Sequence, residues 1–410
     1  MYQLISDLLW NIIKPVGEKV VLKRGYPKDA VLRKCGNIPE EGFSESDNTI
    51  MFHAVSVGEV SAIENLVKTV RAKFPEIKVI LTTGTYTGQE IAKKKLSEYV
   101  DLITYFPADF PCVIKKFLDK IKPKTVFIAE TEIWPNFAME CKKRNINLYI
   151  INGRISDSTF KSYKMLSLFF KYFLSFYTGI YTQSLDDNNK FLTLGANSET
   201  TKVMNNLKFD IKAPDIVEFN KNSYRVLIAG STHSGEDEIV VSVFKKLKEK
   251  HSDLKLILAP RHLTRMDEVK SIVEKYKISY ALRSNNKNDF DECEILILDT
   301  LGELGRIYAH ADISFIGGSF NKTGGHNPLE SIVFNKPVIS GPSIHNFKDI
   351  YSIIKNAEAG FVVNSEDEFF VIADKMLSDK EFYDNTVHKC KKVFDEQQGA
   401  LDFVINNCIK

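Results

Sequence analysis

The strongest constraint on the fold of this chain is the alternation of short apolar runs with amphipathic segments along both halves of the sequence. The apolar runs are continuous, as expected for parallel strands that helices cover on both faces. The segments between them carry apolar residues at helical spacing. Strands are therefore predicted at residues 50–55, 79–82, 102–105, 126–129, 148–151, 179–182, 202–203, 225–229, 254–259, 295–298, 313–316, 337–340 and 360–363.

The length of the chain favours two domains. A chain of 410 residues is longer than one compact core usually supports, and each half contains its own strands and helices. The sequence therefore predicts an α/β protein with two doubly wound domains and a ligand site in the cleft between them. The assigned parts are an N-terminal segment (1–25), a first domain (26–212) and a second domain with the C-terminal helices (213–410).

The composition argues against several classes of protein. The 55 basic and 53 acidic residues nearly balance, which gives no electrostatic case for binding nucleic acid. The six cysteines are scattered without a C-x-x-C pair, and this argues against a disulfide framework and a structural zinc site. The eight histidines form no H-x-x-x-H pair, so no metal is expected.

An apolar stretch near the N-terminus predicts contact with a membrane surface. Charges and Pro15 interrupt it, which makes it marginal for a spanning helix of about twenty predominantly apolar residues. An interfacial helix with Trp10 at headgroup depth fits better, and an ordinary core helix with a solvated basic face is the alternative. The apolar residues are Leu4, Ile5, Leu8, Leu9, Trp10, Ile12 and Ile13. The basic residues after them, which favour the anionic cytoplasmic leaflet, are Lys14, Lys19, Lys23, Arg24, Lys28, Arg33 and Lys34.

Glu59 follows an apolar strand and Gly58, and it precedes an amphipathic helix. It is therefore predicted at the carboxyl end of an early strand, the edge at which open α/β sheets bind ligands. The helix dipole also favours a carboxylate in the first turn of a helix. A purely structural role for Glu59 is thus the competing interpretation.

Two carboxylates, Glu130 and Glu132, follow the strand predicted at 126–129 and lie beside Trp134. Charged groups in such a place require a partner or a function, and a salt-bridged scaffold is the alternative. Lys208 lies near the join between the two domains, where it either reaches the cleft or contributes linker charge.

The turn after the first strand of the second half carries small and polar residues. Gly230 is expected to let the backbone approach a ligand, with Ser231 and Thr232 as hydroxyl donors. Ser234 and Asp237 resemble a capping box, which places a helix N-terminus behind the turn. Such an N-terminus behind a small-residue turn is a ready anion site.

Three further loops at strand ends carry candidate ligand-binding residues. Arg261, after Pro260, is able to fork onto a phosphate or a base carbonyl, and a surface arginine is the alternative. A glycine-rich stretch from Gly317 is expected to direct backbone N–H groups at a ligand, and a purely structural loop is the alternative. Glu330 behind this stretch is placed to accept hydrogen bonds from ribose hydroxyls. The third loop contains Gly302, Glu303 and Leu304.

Together these stretches resemble the 3-deoxy-D-manno-octulosonic acid (Kdo) transferases, which attach Kdo to the lipid A precursor. The resemblance extends in order over nearly the whole chain. It implies the GT-B fold, in which two Rossmann-like domains face a central cleft. The matching stretches are 53–59 (HAVSVGE), 82–88 (TTGTYTG), 130–136 (ETEIWPN), 152–156 (NGRIS), 207–210 (LKFD), 260–262 (PRH) and 317–330.

The resemblance implies an inverting glycosyltransferase that moves Kdo from CMP-Kdo to a hydroxyl of the tetraacyl lipid A precursor (lipid IVA), with no metal and no other cofactor. Glu59 matches the general base, which works best with a pKa raised by burial or by Glu130. Glu130 and Lys208 match the positions that stabilise the transition state. One departure is Asn205-Asn206, where the family usually has Gly-Ser. The predicted donor-binding residues are Ser231, Thr232, Pro260, Arg261, Gly302, Glu303, Leu304, Asn327, Pro328, Leu329 and Glu330.

Because the acceptor is a lipid, the resemblance also implies a location on the cytoplasmic side of the inner membrane, held by the N-terminal segment. One alternative is another nucleotide-sugar transferase or an epimerase of the GT-B fold. Another is a non-catalytic nucleotide-sugar-binding protein, although a pure binder has no use for a base such as Glu59.

Overall fold

Both halves of the chain fold around a parallel sheet, as the alternation of strands and helices predicts. The computed structural model describes residues 2–38, 40, 42–285 and 288–409. The chain divides into unit 1, formed by Met1–Asp210 with Gln397–Lys410, and unit 2, formed by Ile211–Glu396.

The sheet of unit 1 contains seven strands among the described residues. They are β1 (Thr49–Ala54), β2 (Lys78–Thr83), β3 (Leu102–Tyr105), β4 (Thr125–Ala129), β5 (Asn147–Gly153), β6 (Gly179–Thr182) and β7 (Thr201–Val203). Their order is β3-β2-β1-β4-β5-β6-β7, so strands are added in opposite directions on either side of β1 and β4. The carboxyl ends of two such strands flank the crevice where open α/β sheets bind ligands.

Helices cover both faces of this sheet. Met51 packs with Ile128 in one apolar core, and the next residue, Phe52, packs with Phe127 in the other. Because helices bury both faces of the sheet, successive residues of each strand are apolar, and the strands form continuous apolar runs in the sequence. The helices are α1 (Tyr2–Lys23), α2 (Lys28–Lys34), α3 (Val57–Lys73), α4 (Tyr86–Leu96), α5 (Pro111–Ile121), α6 (Pro135–Lys143), α7 (Asp157–Lys164), α8 (Ser167–Leu174) and α9 (Leu185–Thr193).

The sheet of unit 2 repeats the arrangement. Its strands are β8 (Arg225–Thr232), β9 (Leu254–Pro260), β10 (Tyr280–Leu282), β11 (Ile295–Ile297), β12 (Ile313–Ile316), β13 (Val338–Ser340) and β14 (Gly360–Val362). The order β10-β11-β9-β8-β12-β13-β14 reverses between β8 and β12, which pair in parallel. The loops after these two strands therefore share one edge of the sheet.

Further helices complete the chain. They are α10 (Glu236–Lys250), α11 (Met266–Lys275), α12 (Leu304–Ile307), α13 (Leu329–Ile332), α14 (Lys348–Asn356), α15 (Glu366–Ser378), α16 (Lys380–Gln397) and α17 (Ala400–Cys408). Single 3₁₀ turns occur at Leu207–Phe209, Leu263–Arg265, Arg283–Asn285, Tyr308–His310 and His345–Phe347.

The predicted strands are all present, with ends that differ by no more than three residues. β10 was not predicted, and its three residues are only half-buried, as expected for a strand at the edge of the sheet. The fold class, with two doubly wound α/β units, is confirmed.

The C-terminal helix does not belong to the second domain, where the sequence analysis placed it. Val404 and Ile405 of α17 pack in the same core as Phe52 of unit 1. The Asp210 carboxylate accepts hydrogen bonds from the backbone N–H groups of Gly399, at 2.7 Å, and of Leu401. The C-terminal stretch therefore folds back onto unit 1, and the chain crosses between the units twice.

The N-terminal helix α1 contains Pro15 and is 22 residues long. Among the described residues, no helix combines the length and apolar character that crossing a bilayer requires. Trp10 is half-buried against the ring of Phe110, with 4.7 Å between ring centroids. Its predicted position among lipid headgroups stays a prediction. The predicted apolar side chains of Leu4, Ile5, Leu8 and Ile12 lie outside the described part of the structure.

Candidate active site

The three predicted catalytic residues come together in unit 1. β1 and β4 pair in parallel, so the loops after them are neighbours at one edge of the sheet. Glu59 lies after β1, and Glu130 directly follows β4. Lys208, in the 3₁₀ turn after β7, places its Nζ 4.0 Å from Glu130 Oε1. The sheet topology therefore brings side chains from three distant parts of the sequence to one place.

Glu59 is held in place by the start of its own helix. Its Oε2 accepts a hydrogen bond from the Val55 N–H at 2.7 Å, and its Oε1 accepts one from Ser56 Oγ at 2.9 Å. Ser56 is the N-cap of α3 and accepts in turn from the Glu59 N–H. Glu59 therefore has the structural role that the sequence left open, because its side chain and that of Ser56 together cap the N-terminus of α3.

The electrostatics of Glu59 nevertheless differ from those of an ordinary capping residue. Its side chain is 9% exposed, and burial is the main cause that raises its pKa to about 7. The negative charge of Glu130 raises the pKa further, and Glu132 adds a smaller effect, whereas the Val55 and Ser56 hydrogen bonds lower it. A carboxylate with a pKa near neutrality is suited to take a proton from a hydroxyl group.

Glu130 adopts a strained backbone conformation. Its φ of 59° lies in the left-handed region, and its N–H donates to the Ile151 carbonyl at 3.0 Å. Non-glycine residues keep such a conformation where the surroundings impose it, most often at functional sites. Burial and the nearby Glu130 also raise the pKa of Glu132. The end of β4 therefore concentrates negative charge beside Glu59.

The departure at Asn205-Asn206 preserves the turn that carries Lys208. Asn205 has a φ of 69°, a conformation that glycine adopts freely and asparagine tolerates better than most residues. Asn206 accepts a hydrogen bond from the Lys208 N–H at 3.0 Å through Oδ1, as a capping serine does. The two asparagines thus supply the properties of the Gly-Ser pair.

Two cavities of about 280 Å³ each adjoin the carboxylates, and Glu132 lines both. The first, here the Arg154 cavity, is lined by Glu130, Thr131, Glu132, Arg154, Ser156, Thr159 and Tyr163. The second, here the His53 cavity, is lined by Lys34, His53, Val55, Gly84, Phe106, Pro107, Ala108, Glu132 and Trp134. Both offer polar groups from several strand ends, which is the composition of a polar ligand site.

The His53 cavity carries two buried polar atoms that have no hydrogen-bond partner among the described residues, namely His53 Nε2 and Trp134 Nε1. Burial lowers the pKa of His53 to about 3, so the ring is neutral. Its Nδ1 contacts Thr82 Oγ1 at 3.0 Å, and that hydroxyl donates to the Phe52 carbonyl. The proton therefore resides on Nδ1, and Nε2 is an acceptor.

A hydroxyl group has both of the functions that these atoms lack, because it is able to donate to an acceptor such as His53 Nε2 and to accept from a donor such as Trp134 Nε1. Lys34 adds a cation to the same cavity, and burial lowers the pKa of its ammonium group to about 8. None of these three residues was predicted in a ligand site, and Lys34 was predicted to face the anionic leaflet, whereas its Nζ donates to the Gly84 carbonyl at 2.9 Å. The available signal was a histidine inside an otherwise apolar strand.

In unit 2, the turn after β8 is built differently from the prediction. Thr232 is fully buried, and its hydroxyl donates to Asp237 Oδ1 at 2.6 Å, so it is not free for a ligand. Asp237 also binds Arg265, while Ser234 Oγ donates to a glutamate in α11. The predicted capping box of Ser234 and Asp237 is therefore wrong, and Gly235 is the N-cap of α10. Ser231 has a φ of 56° and is half-buried.

Gly230 is required by packing inside unit 2. A Cβ at this position would lie 1.8 Å from Tyr308 Oη and 3.1 Å from Leu304 Cδ1. The absence of a side chain at Gly230 therefore makes room for Tyr308, and the approach of a ligand to this backbone stays a prediction. The short distance to Leu304 also places the Gly302–Leu304 loop next to the turn after β8.

The glycine-rich loop is held by Glu236, which the sequence analysis did not identify. Glu236 is 1% exposed, and its Oε1 accepts from the N–H groups of Ser319 and Phe320, both at 2.8 Å. Its Oε2 accepts from Gly318 at 2.6 Å and from His233 at 2.9 Å. These loop N–H groups were predicted to face a ligand, but they bind the carboxylate of the neighbouring helix instead.

The remaining candidate donor-binding residues lie on loops at the same edge of the unit 2 sheet. Pro260 ends β9, and the exposed Arg261 donates its N–H to the Thr232 carbonyl at 2.9 Å. Glu303 caps α12 and pairs with Arg283. Asn327 Oδ1 accepts from the Leu329 N–H at 3.1 Å, Pro328 is the N-cap of α13, Leu329 is buried, and Glu330 is exposed. Among these residues, the side chains of Arg261 and Glu330 are the most open to a ligand.

A family model and curated relatives point to the same protein family. A family model described as 3-deoxy-D-manno-octulosonic-acid transferase (kdotransferase) matches residues 30–211. The 3-deoxy-D-manno-octulosonic acid transferase of Haemophilus influenzae is 33% identical over 366 residues, which cover 87% of this chain and 86% of that protein. A bifunctional glycosyltransferase/methyltransferase of Fusobacterium nucleatum is 32% identical over 407 residues, and this chain spans 61% of its length.

Solved structures confirm the two-domain fold. The UDP-GlcNAc 2-epimerase from Neisseria meningitidis bound to UDP-GlcNAc matches with a TM-score of 0.56, covering 87% of this chain and 98% of that chain. At 11% identity this likeness shows the fold alone, which is the GT-B type. The sequence comparison is more specific, since it links the chain to a relative 33% identical of which it covers 86%. The chain therefore belongs to the 3-deoxy-D-manno-octulosonic acid transferase family.

Proposed function

We propose that this protein transfers Kdo from CMP-Kdo to a hydroxyl of the tetraacyl lipid A precursor, with inversion and without a metal or other cofactor. The observation that carries the proposal is the buried Glu59 carboxylate, whose pKa is raised to about 7 beside Glu130, Glu132 and Lys208. A pure binding protein has no use for a carboxylate tuned in this way. Family membership supports Kdo as the transferred group, and the lipid acceptor is part of the proposal.

In the proposed reaction, ionised Glu59 takes the proton of the acceptor hydroxyl as its oxygen attacks the anomeric carbon of Kdo. The bond from that carbon to the CMP phosphate oxygen breaks, and CMP leaves with the electron pair. General base catalysis of this kind contributes about 10²–10⁴-fold in rate. Lys208 and Glu130 act on the transition state, and the cationic Arg261 offsets the charge of the departing phosphate.

We further propose that the protein works at the cytoplasmic face of the inner membrane, where α1 lies on the bilayer. Several apolar side chains of α1 are exposed and support this location, and the basic residues after them suit an anionic leaflet. These exposed residues are Leu9, Ile13, Val16, Val20 and Leu22.

The reaction is tested by mass spectrometry of the lipid A precursor after incubation with the protein and a CMP-Kdo-generating mixture. A mass increase of one or more Kdo units is expected. In a thermal-shift assay, CMP is expected to raise the melting temperature, and UMP and UDP are not, because binding to the folded state alone stabilises it. Stabilisation by UDP with no response to CMP would instead favour an epimerase or transferase with a uridine donor.

The variant Glu130→Gln is expected to shift the pH dependence of transfer to lower pH. Removal of the Glu130 charge lowers the pKa of Glu59, so the base ionises at a lower pH. The measurement is kcat/KM against pH, whose midpoint reports the free-enzyme base independently of the maximal rate. Glu132→Gln serves as the matched control with a smaller shift. An unchanged midpoint in Glu130→Gln would contradict the coupling of Glu130 to Glu59.

A further inference from the structure

Two histidines of unit 2, here the histidine pair, meet at the edge of the sheet. His233 follows β8, and His326 lies in the glycine-rich loop after β12. Their Nε2 atoms are 2.9 Å apart, the ring centroids are 5.2 Å apart, and the ring planes differ by 13°. The two rings are therefore nearly coplanar and face each other head-on, nitrogen to nitrogen. This is the geometry of an N–H···N hydrogen bond, in which one nitrogen donates and the other accepts.

The backbone around both rings fixes this geometry. Glu236 Oε2 accepts from the N–H of His233 and from that of Gly318, so one carboxylate ties the two loops together. A Cβ at Gly318 would lie 3.0 Å from His326 Cδ2, which means that the glycine backbone packs against this edge of the ring. Nδ1 of His326 lies on the opposite edge. Among the described residues, Nδ1 of neither histidine has a hydrogen-bond partner.

A pair of this kind takes up one proton without losing its hydrogen bond. In the neutral pair, the ring that donates through Nε2–H has an unprotonated Nδ1. Protonation of that Nδ1 gives an imidazolium whose Nε2–H still donates to the other ring, and the charge strengthens the hydrogen bond. A second proton would place two N–H groups against each other. The histidine pair is therefore able to hold one additional proton and no more.

The surroundings of the histidine pair are mainly cationic. Burial lowers the pKa of His326 to about 4, and the neighbouring basic groups lower it further. Burial also lowers the pKa of His233, while the negative charge of Glu236 opposes that effect. The pair is therefore neutral in the free protein near pH 7, and the basic groups around it favour an anion. The charged and titratable side chains that face the pair are Glu236 on α10, Arg261 and His262 after β9, and Arg265 before α11.

The position of the histidine pair indicates which anion this is. The strand order of the unit 2 sheet reverses between β8 and β12, and one histidine follows each of these strands. Doubly wound sheets bind nucleotides in the crevice at such a reversal, with the phosphate close to the loops after the strands. The negative charge of a phosphate raises the pKa of a nearby histidine. Binding of a nucleotide phosphate is therefore coupled to protonation of the pair.

We propose that the histidine pair takes up one proton when a nucleotide phosphate binds to unit 2, and gives that proton to the phosphate as it leaves the sugar. When the bond from the anomeric carbon to the phosphate oxygen breaks, the electron pair stays on that oxygen. A ring Nδ1–H then donates its proton to the phosphate, and the pair returns to its neutral form with the N–H···N bond intact. The second step rests on the proposed function, whereas proton uptake on binding does not.

The test is calorimetric titration of the full chain with the methyl phosphate ester of CMP, near pH 7, in buffers of different ionisation enthalpy. This ester carries one negative charge, as the phosphodiester of the donor does, and has no proton of its own to exchange. Binding to the wild type is expected to take up a fraction of a proton. The affinity is expected to fall from about pH 6 to about pH 8, because the protonated pair binds the phosphate more tightly.

The double variant His233→Gln/His326→Gln keeps a hydrogen bond between two amides but is unable to take up a proton. It is expected to bind the ester at least about tenfold more weakly, without proton uptake, because a charge-assisted hydrogen bond to the phosphate is lost. His388→Gln, on an exposed position of α16, is the matched control and is expected to take up the same fraction of a proton as the wild type.

Binding of the ester to the wild type without proton uptake overturns the inference and leaves CMP as the donor nucleotide, and this measurement needs no variant. Undiminished uptake in the double variant overturns it as well, because the proton then binds elsewhere. The corresponding ester of UMP separates the two proposals. If only that ester binds, and with proton uptake, CMP is not the donor nucleotide but the inference stands. Failure of both esters to bind contradicts the inference.

The second step is tested by kcat of Kdo transfer against pH, which reports the groups that titrate in the enzyme–substrate complex. In the wild type, kcat is expected to rise as Glu59 ionises and to fall at higher pH as the histidine pair loses its proton. The double variant is expected to have a lower kcat without the fall at high pH. A merely structural role of the pair would lower kcat and leave its pH profile unchanged, and that result overturns the second step.

Discussion

The variant Glu59→Gln is expected to lower Kdo transfer by about 10²–10⁴-fold and to leave CMP binding unchanged. Glutamine keeps an oxygen that accepts from the Val55 N–H, and its amide is able to donate to Ser56 Oγ, so the cap of α3 largely survives. It cannot take a proton from the acceptor. Transfer is measured with the lipid A precursor, and CMP binding is measured by thermal shift.

Glu59→Ala is a poorer test of the same idea. Alanine also removes the cap, and loss of such a cap costs about 0.5–2 kcal/mol. A lower activity in that variant would mix lost chemistry with lost stability. Glu90→Gln, an exposed carboxylate on α4, is the matched control and is expected to retain wild-type transfer. If Glu59→Gln keeps more than about a tenth of the wild-type rate, Glu59 is not the general base.

The raised pKa of Glu59 also predicts how the free energy of unfolding depends on pH. The folded state binds the proton more tightly than the unfolded state, where the pKa is about 4.5. Protonation of Glu59 therefore stabilises the folded state. This stabilisation is fully present below pH 4.5 and is lost as the pH rises through about 7. The difference between these pKa values corresponds to about 3 kcal/mol.

The free energy of unfolding of the wild type, relative to Glu59→Gln, is therefore expected to fall by about 3 kcal/mol from acid to alkaline pH. Urea unfolding followed by tryptophan fluorescence measures it, since both tryptophans, Trp10 and Trp134, lie in unit 1. If the difference in the free energy of unfolding between the wild type and Glu59→Gln does not change with pH, Glu59 has an ordinary pKa in the folded state.

The sequence predicted those features of the fold that depend on local pattern. Continuous apolar runs located the strands of both sheets, because each strand is buried on two faces. The same pattern placed Glu59 and Glu130 at carboxyl ends. It could not give the strand order, which makes β1 and β4 neighbours and so brings these two residues together.

What the sequence missed depends on contacts between distant residues. His53 and Trp134 share a cavity only because β1 and the loop after β4 are adjacent. Glu236 lies more than 80 residues from the loop that it binds. A glycine-rich stretch suggested free N–H groups, but a buried carboxylate on a neighbouring helix competes for them, and no local pattern reveals that competitor.

The variant Glu236→Ala is expected to destabilise unit 2 by about 4 kcal/mol or more and to abolish CMP binding. The carboxylate accepts from four N–H groups, of His233, Gly318, Ser319 and Phe320, and each buried donor left without an acceptor costs about 1–3 kcal/mol. Glutamine is not a rescue, because its amide nitrogen would face N–H groups where an oxygen is required. Glu238→Ala, on an exposed position of the same helix, is expected to stay within about 0.5 kcal/mol of the wild type.

Destabilisation of unit 2 by Glu236→Ala is distinguishable from unfolding of the whole chain, because only unit 1 contains tryptophan. Unit 2 contains no tryptophan, so the tryptophan transition of unit 1 is expected to stay at the wild-type urea concentration in Glu236→Ala, while circular dichroism shows an earlier transition. Amide exchange at residues 318–320 is expected to accelerate, since their N–H groups lose their acceptor. A glycine-rich loop that kept its slow exchange in Glu236→Ala would show that other contacts hold it and that Glu236 is dispensable.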